Sequence, residues 1–326
     1  MKVVIPGGSG HVGAALTRAL SAEGHEVVHL SRRPGHGTTR RAGPAATTPR
    51  TITWNARDLG PWADEIDGCD AVVNLAGRSV SCRYTPANMR EMMDSRVDST
   101  RAVGAAIAAA SKPPRAWLQM STATVYAHTF GAANDESGAI GGGEPGVPGY
   151  WAYSIDIARA WEQAQAAADT PATRKVAMRT AMVMSPDKGS VFDVLLRMTR
   201  LGLGGPVAGG AQYVSWIHED DFTRAVAFLI DREDLDGVVN LAAPGPVPQR
   251  ELMRHLRAAA KTPVGLPATK WMASLGALAM RTDTELLLKS RRVVARRLPE
   301  AGFAFARPAW PEAAADLVAR HRADGR

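Results

Sequence analysis

Apolar positions in the first half of the chain alternate between two spacings. Short β-branched or apolar runs at residues 3–6, 26–30, 51–54, 71–75 and 115–120 predict strands, and residues 12–22 and 87–110 between them have the spacing of helices. This alternation predicts an α/β fold built on a parallel, doubly wound sheet. A sixth strand fits 175–179, and a seventh fits 237–241 after a helix that starts near Asp220 or Asp221. The remainder reads as helical or irregular. The expected division is a sheet domain of residues 1–180 and 215–242, with a smaller, mostly helical substrate lobe of 181–214 and 243–326. Two stretches rich in Gly and Pro, 34–50 and 131–149, predict flexible loops, and no internal repeat is visible.

Composition narrows the class. The chain has 326 residues, 45% hydrophobic and 22% charged, enough for about two domains and too ordinary for a collagen-like or disordered protein. The longest apolar stretches, 102–110 and 271–280, are about half of the 18 residues a membrane span requires. No apolar segment follows a basic N-terminus, so no secretory signal is read and a cytoplasmic location is expected. Cys69 and Cys82 lack the spacing of a zinc site or a disulfide framework. His25 and His29 lie on a predicted strand roughly 13 Å apart, too far to share a metal, and no metal is expected. The net charge of +7 includes the arginine pairs Arg32/Arg33, Arg40/Arg41, Arg291/Arg292 and Arg296/Arg297. No base-reading motif accompanies them, so an arginine-rich surface is preferred to a nucleic-acid site.

Gly7, Gly10 and Gly13, with His11 and Val12 between the last two, form Gly-x-x-Gly-x-x-Gly between the first strand and the first helix. Glycine is needed there for a tight turn, for close approach of backbone to a pyrophosphate, and for packing of the helix on the sheet. A strand before, a helix after and a second strand about 20 residues on make this a Rossmann dinucleotide site. The second strand ends in Ser31, Arg32 and Arg33, with no acid to hold a ribose 2′-hydroxyl; Glu26 lies too early. Guanidinium forks complement a 2′-phosphate, so the expected cofactor is NADP(H). Asn74, Leu75, Ala76 and Gly77 end the fourth strand with small residues beside the cofactor ribose, and Asp58 suits either the adenine amino group or a helix cap.

These motifs, with Ser121-Thr122-Ala123-Thr124-Val125-Tyr126, resemble the extended short-chain dehydrogenase/reductases. Ser95-Arg96-Val97, Ser99-Thr100, Trp161-Glu162, Arg179-Thr180, Gly204-Gly205, the run from Ser215 to Asp221, the run from Asn240 to Pro244 and Gly302-Phe303-Ala304-Phe305 narrow the likeness. Together they resemble the atypical epimerase family proteins, which carry a small C-terminal domain of unknown function. The resemblance spans nearly the whole chain and implies a small-molecule substrate. It implies catalysis by a hydroxyl after the fifth strand, matched by Thr122, and by a Tyr-x-x-x-Lys pair. Tyr153 is the best-placed tyrosine, yet Ile157 stands four residues on, and Tyr150 is followed at that spacing by Ser154. The lysine is missing, as it generally is in that branch.

A phenol without that lysine is only about 0.1% ionised at pH 7, a poor base that can still donate a proton, so reduction is favoured over oxidation. Tyr153 reads equally as a helix residue packed near the cofactor. Arg83-Tyr84-Thr85, Met89 and Asn55 depart from the branch's usual residues, and Ser79 and Arg83 are expected to border the substrate. Trp216 and His218 are further pocket candidates, as is Asp221, although Asp220 or Asp221 reads better as a helix cap. The pocket is expected between the lobes, beside a flexible loop at Gly202, Gly204 and Gly205. Two functions remain: an NADP(H)-dependent oxidoreductase or epimerase acting on a hydroxyl or carbonyl compound, and a catalytically silent NADP(H)-binding sensor or partner-binding protein.

Overall fold

The computed structural model describes residues 1–33, 48–145, 147–269 and 285–323. Most of the 34–50 stretch, the pair Arg40/Arg41 and the apolar run 271–280 lie outside the described residues. Seven strands form one sheet: β1 (Lys2–Pro6), β2 (Glu26–Ser31), β3 (Arg50–Thr53), β4 (Ala71–Asn74), β5 (Ala116–Thr122), β6 (Arg174–Thr180) and β10 (Gly237–Leu241). Their order is β10-β6-β5-β4-β1-β2-β3, with every pairing parallel. Each strand predicted from the sequence is present, with ends shifted by one or two residues. The order reverses between β1 and β4, the switch point where sheets of this kind open a crevice at the carboxyl ends of their strands.

Alternation along β1 sends side chains to both faces. Val3 and Ile5 meet Leu16 and Leu20 of α1 (His11–Ala22) and Phe222, Val226 and Leu229 of α5 (Glu219–Asp231). Val4 meets Val28, Val72 and Trp117 and the helix residues Val103 and Ile107 of α2 (Pro86–Ala109), which packs against α3 (Ala152–Ala166). Strands buried on both faces read as continuous apolar runs, which is why they were legible.

The second lobe is helical around two short ribbons. β7 (Met182–Met184) pairs in parallel with β9 (Trp216–His218), and β8 (Tyr213–Val214) pairs antiparallel with β11 (Val247–Pro248). Strands of two or three residues are too short to show a period, so the sequence did not announce them. The lobe's core joins Phe192 and Leu196 of α4 (Val191–Arg200) and Leu252 and Leu256 of α6 (Gln249–Ala260) to Trp310 and Leu317 of α9 (Trp310–Ala323). Among the described residues between α6 and α9 are two one-turn helices, α7 (Glu285–Leu288) and α8 (Arg297–Glu300).

The chain after residue 243 does not stay within that lobe. Asn134 N–H donates to Arg292 O at 2.7 Å and Val294 N–H to Asn134 O at 2.9 Å, which ties residues 292–294 to the loop after β5. Ala295, Leu298 and Phe303 then pack into the sheet's own core. Among the described residues no helix is long and apolar enough to cross a membrane.

Ile5 is fully buried at the centre of the sheet, whereas Ile52 is half-buried on the outermost strand. Ile5→Ala is expected to lower unfolding free energy by about 2–5 kcal/mol in urea titration, and Ile52→Ala by less. Equal losses would contradict this layered core.

Candidate functional site

The site begins where β1 stops. Gly7 N–H donates to Leu30 O at 3.0 Å and Gly10 N–H to Gly7 O at 3.1 Å, folding a tight turn whose first glycine has φ +79°. A Cβ on Gly7 would lie 2.8 Å from the backbone of Leu75 and Ala76, and one on Gly13 would lie 2.6 Å from Gly8. Only glycine permits either approach. The α1 N-cap, Gly10, has no side-chain cap, leaving the first-turn N–H groups of His11, Val12 and Gly13 for a ligand. The residues present therefore fit a dinucleotide pyrophosphate.

Beneath the loop lies a support the sequence reading missed. Thr17 Oγ1 donates to Gly13 O at 2.8 Å and meets His29 Nε2 at 2.6 Å, so Nε2 carries the proton. Burial pushes the His29 pKa below its ordinary value, which keeps the ring neutral. Ser31 is buried and its Oγ accepts from Arg33 N–H at 3.2 Å, while Arg32 and Arg33 are exposed at the end of β2.

Asn74 takes a different position from that expected of a ligand contact. It is fully buried, donates to Gln119 Oε1 at 3.0 Å and accepts from Ala76 N–H at 3.1 Å. It shapes the turn through Leu75, Ala76 and Gly77, and Gly77 is the exposed member. Asp58 caps no helix: its carboxylate accepts from Asn55 Nδ2 at 2.9 Å, and the N-cap ahead of Pro61 is Gly60.

Thr122 ends β5, where its Oγ1 accepts from Thr124 N–H at 3.2 Å, and its own proton is uncommitted among the described contacts. Tyr153 lies in the first turn of α3 but donates to Met89 O on α2 at 2.6 Å. Burial raises its phenol pKa. Its proton is thus held by α2 and not aimed at Thr122. The neighbouring Ser154 donates instead to Glu285 Oε2 at 2.5 Å. Glu285 pairs with Lys289 at 3.5 Å, and Lys289 Nζ donates to Thr124 O at 2.8 Å. Both members of this ion pair are about 1% exposed, and burial pushes the lysine pKa down. The sequence signal for this cluster was the Glu-x-x-x-Lys spacing inside an apolar run, which places the two on one helix face.

The structure corrects several pocket candidates. Trp216 is fully buried, stacked edge-on to Trp310 with centroids 5.0 Å apart, and its Nε1 donates to Gly245 O. His218 is fully buried and is itself the N-cap of α5, accepting from Asp220 N–H at 3.1 Å; Asp220 and Asp221 follow in the first turn. Asp221 accepts the N–H groups of Ala306 and Arg307 at 2.7 and 2.8 Å, fastening the C-terminal segment. All three are fully buried and hold the fold together. Ser79 and Arg83 lie exposed on the segment before α2 in local turns. Gly204 and Gly205 form no flexible loop: a Cβ on Gly205 would lie 2.2 Å from Leu266 O, and Leu266 N–H donates to Gly202 O at 2.8 Å.

His218, Asp220 and Asp316 bring ligating atoms within 4.8 Å of one another, but Arg320 binds both carboxylates and Arg307 also pairs with Asp316 at 3.2 Å, so two guanidinium groups offset their charge. Both cysteines are free, and burial pushes the Cys69 thiol up to about 12, which makes it inert.

A glycine-cradled anion site at the switch point of a seven-stranded parallel sheet defines a dinucleotide-binding α/β protein. Residues 3–244 match the NAD dependent epimerase/dehydratase family, and residues 269–317 match a domain of unknown function, DUF1731. The chain belongs to that epimerase/dehydratase family. It is 33% identical to the epimerase family protein SDR39U1 of Bos taurus over 98% of this chain and 100% of the relative. It is 32% identical to the epimerase family protein ML0860 of Mycobacterium leprae, over 93% and 91% of the two chains. Among solved structures, human SDR39U1 (isoform2) with NADPH superposes with a TM-score of 0.82 at 29% identity, covering 98% of this chain and 99% of that one.

His29, His128 and His218 all have pKa values lowered chiefly by burial. Below about pH 6.5 the unfolded chain binds protons that the folded chain resists, so stability falls as pH drops through that value. Thermal unfolding should therefore show a falling Tm between about pH 7.5 and 5.5, with a shallower slope in His29→Gln. A flat profile would show that these rings charge freely in the fold.

Proposed function

We propose that the protein is an NADP(H)-dependent oxidoreductase or epimerase that acts on a small hydroxyl or carbonyl compound, with reduction favoured. The observation that carries the cofactor choice is the end of β2, where Arg32 and Arg33 stand exposed beside Ser31 and no acid is present to meet a ribose 2′-hydroxyl. A planar guanidinium at that position favours the 2′-phosphate. The NADPH in the solved human relative supports this reading.

Bound NADPH would supply the hydride. The protein must deliver a proton to the carbonyl oxygen. Thr122 retains its hydroxyl proton, and the chain from Ser154 through Glu285 to Lys289 is a buried acid–base set linked to Thr124. Tyr153, bound to Met89 O, is left a positioning role between α2 and α3. The same commitment of Tyr153, with no lysine on α3, favours the second reading of a silent NADP(H)-binding protein.

Calorimetry tests the cofactor: NADPH should bind more tightly than NADH, and Arg32→Ala or Arg33→Ala should weaken NADPH about ten- to a hundredfold. Equal affinity for the two dinucleotides would overturn the assignment. Incubation with NADPH and a panel of ketones and nucleotide sugars tests the chemistry. Turnover lost in Thr122→Val or Ser154→Ala but kept in Tyr153→Phe supports the enzyme; tight binding with no turnover supports the silent protein.

A further inference from the structure

Although α3 lacks a lysine, a cation reaches the same region from α2. The Arg96 guanidinium carbon lies 5.0 Å from the centre of the Trp161 ring on α3, and its Nη1 donates to Met92 O at 2.9 Å. Other inward-facing arginines are well matched, Arg291 by Thr124 Oγ1 and Glu285 O at 3.2 Å. Arg179 is held by Glu162 at 2.8 Å, Arg18 by Asp187 at 2.7 Å, Arg320 by Glu219 at 2.8 Å, and Arg174 by the carbonyls of Leu229, Ile230 and Leu235. Arg96 has one carbonyl and one aromatic face, and no carboxylate among the described residues. Arg96 is half-buried, so the donors that the protein leaves free stay open to a ligand. Burial lowers its pKa to about 10, so it stays charged at neutral pH.

What lies beside the guanidinium indicates the partner. A Cβ on Gly77 would come within 3.3 Å of the guanidinium carbon, so the missing side chain leaves that edge uncovered. Gly77 follows directly on Leu75 and Ala76, whose backbone bounds the glycine turn at Gly7. Arg96 therefore stands one residue behind the wall of the phosphate cradle.

We propose that Arg96 is an anion-binding residue of the dinucleotide site, its open edge donating past Gly77 to a pyrophosphate oxygen of the bound dinucleotide. This rests on the NADP(H) reading above. Arg32 and Arg33 would hold the 2′-phosphate at one end of the cofactor, and Arg96 would neutralise charge nearer its centre. Gly77 has a function in this arrangement that its backbone angles alone do not require.

The test is NADPH fluorescence titration of the full chain, with Tm measured alongside. Arg96→Met should weaken NADPH about ten- to a hundredfold. Displacement of NADPH by adenosine 2′-monophosphate, which lacks a pyrophosphate, should give that competitor an unchanged affinity. Gly77→Ala keeps Arg96 but covers it, and should weaken NADPH as well, which preserves the test if Arg96→Met fails to fold. Wild-type protein that binds no NADPH would sink the cofactor reading itself. Wild-type binding with unchanged affinity in Gly77→Ala and Arg96→Met, or an equal loss for adenosine 2′-monophosphate, would overturn the role of Arg96 alone.

Discussion

The site depends on one close approach, that of Gly7 to the backbone of Leu75 and Ala76. Two neighbouring parallel strands, β1 and β4, end side by side, and their chains then diverge into α1 and towards α2. The crevice between them exists only because no Cβ separates the two turns at 2.8 Å. Each turn is fixed from beneath by buried polar groups: Thr17 and His29 under the glycine loop, and Asn74 with Gln119 under the other. These groups bond to one another and to backbone, with only His29 Nδ1 left unpartnered, and they make the backbone donors of the loop rigid before any ligand arrives.

A second constraint comes from the far end of the chain. Residues 285–294 return from the smaller lobe to the turn after β5, where Lys289 reaches Thr124 O and Arg291 Nε donates to Thr124 Oγ1 at 3.2 Å. The carboxyl edge of the sheet is thereby completed by residues more than 160 positions away in sequence. Glu162 links the opposite side, accepting from Ser121 Oγ at 2.6 Å and from both arms of Arg179, whose guanidinium also covers the Tyr126 ring at 5.0 Å. The residues around Thr122 are consequently held by buried charge pairs. Breaking one such pair leaves an uncompensated charge, which is far more damaging than the pair is stabilising.

The strands and the glycine turn were legible in the sequence because their signals are local. Val3, Val4 and Ile5 are apolar in succession, and the three glycines recur at a spacing that backbone geometry requires. Trp216 and His218 misled because an aromatic and an imidazole look alike in sequence whether they face a ligand or cap a helix in a packed lobe. Tyr153 was placed on the right helix turn, but its bond to Met89 O depends on the packing of α2 on α3. Glu285 and Lys289 escaped notice, and Arg96 entered only as part of a family motif, for a related reason. Their meaning comes from the segments they meet, and those meetings are set by tertiary packing.

The central claim is that the approach of Gly7 to Leu75 and Ala76 forms the dinucleotide cradle. NADPH titration of Gly7→Ala tests it most directly, because the added methyl falls on backbone that cannot turn aside and φ +79° is strained for alanine. The folded variant, judged by an unfolding transition still cooperative, is expected to lose NADPH binding. Wild-type affinity for NADPH in a folded Gly7→Ala protein would contradict it.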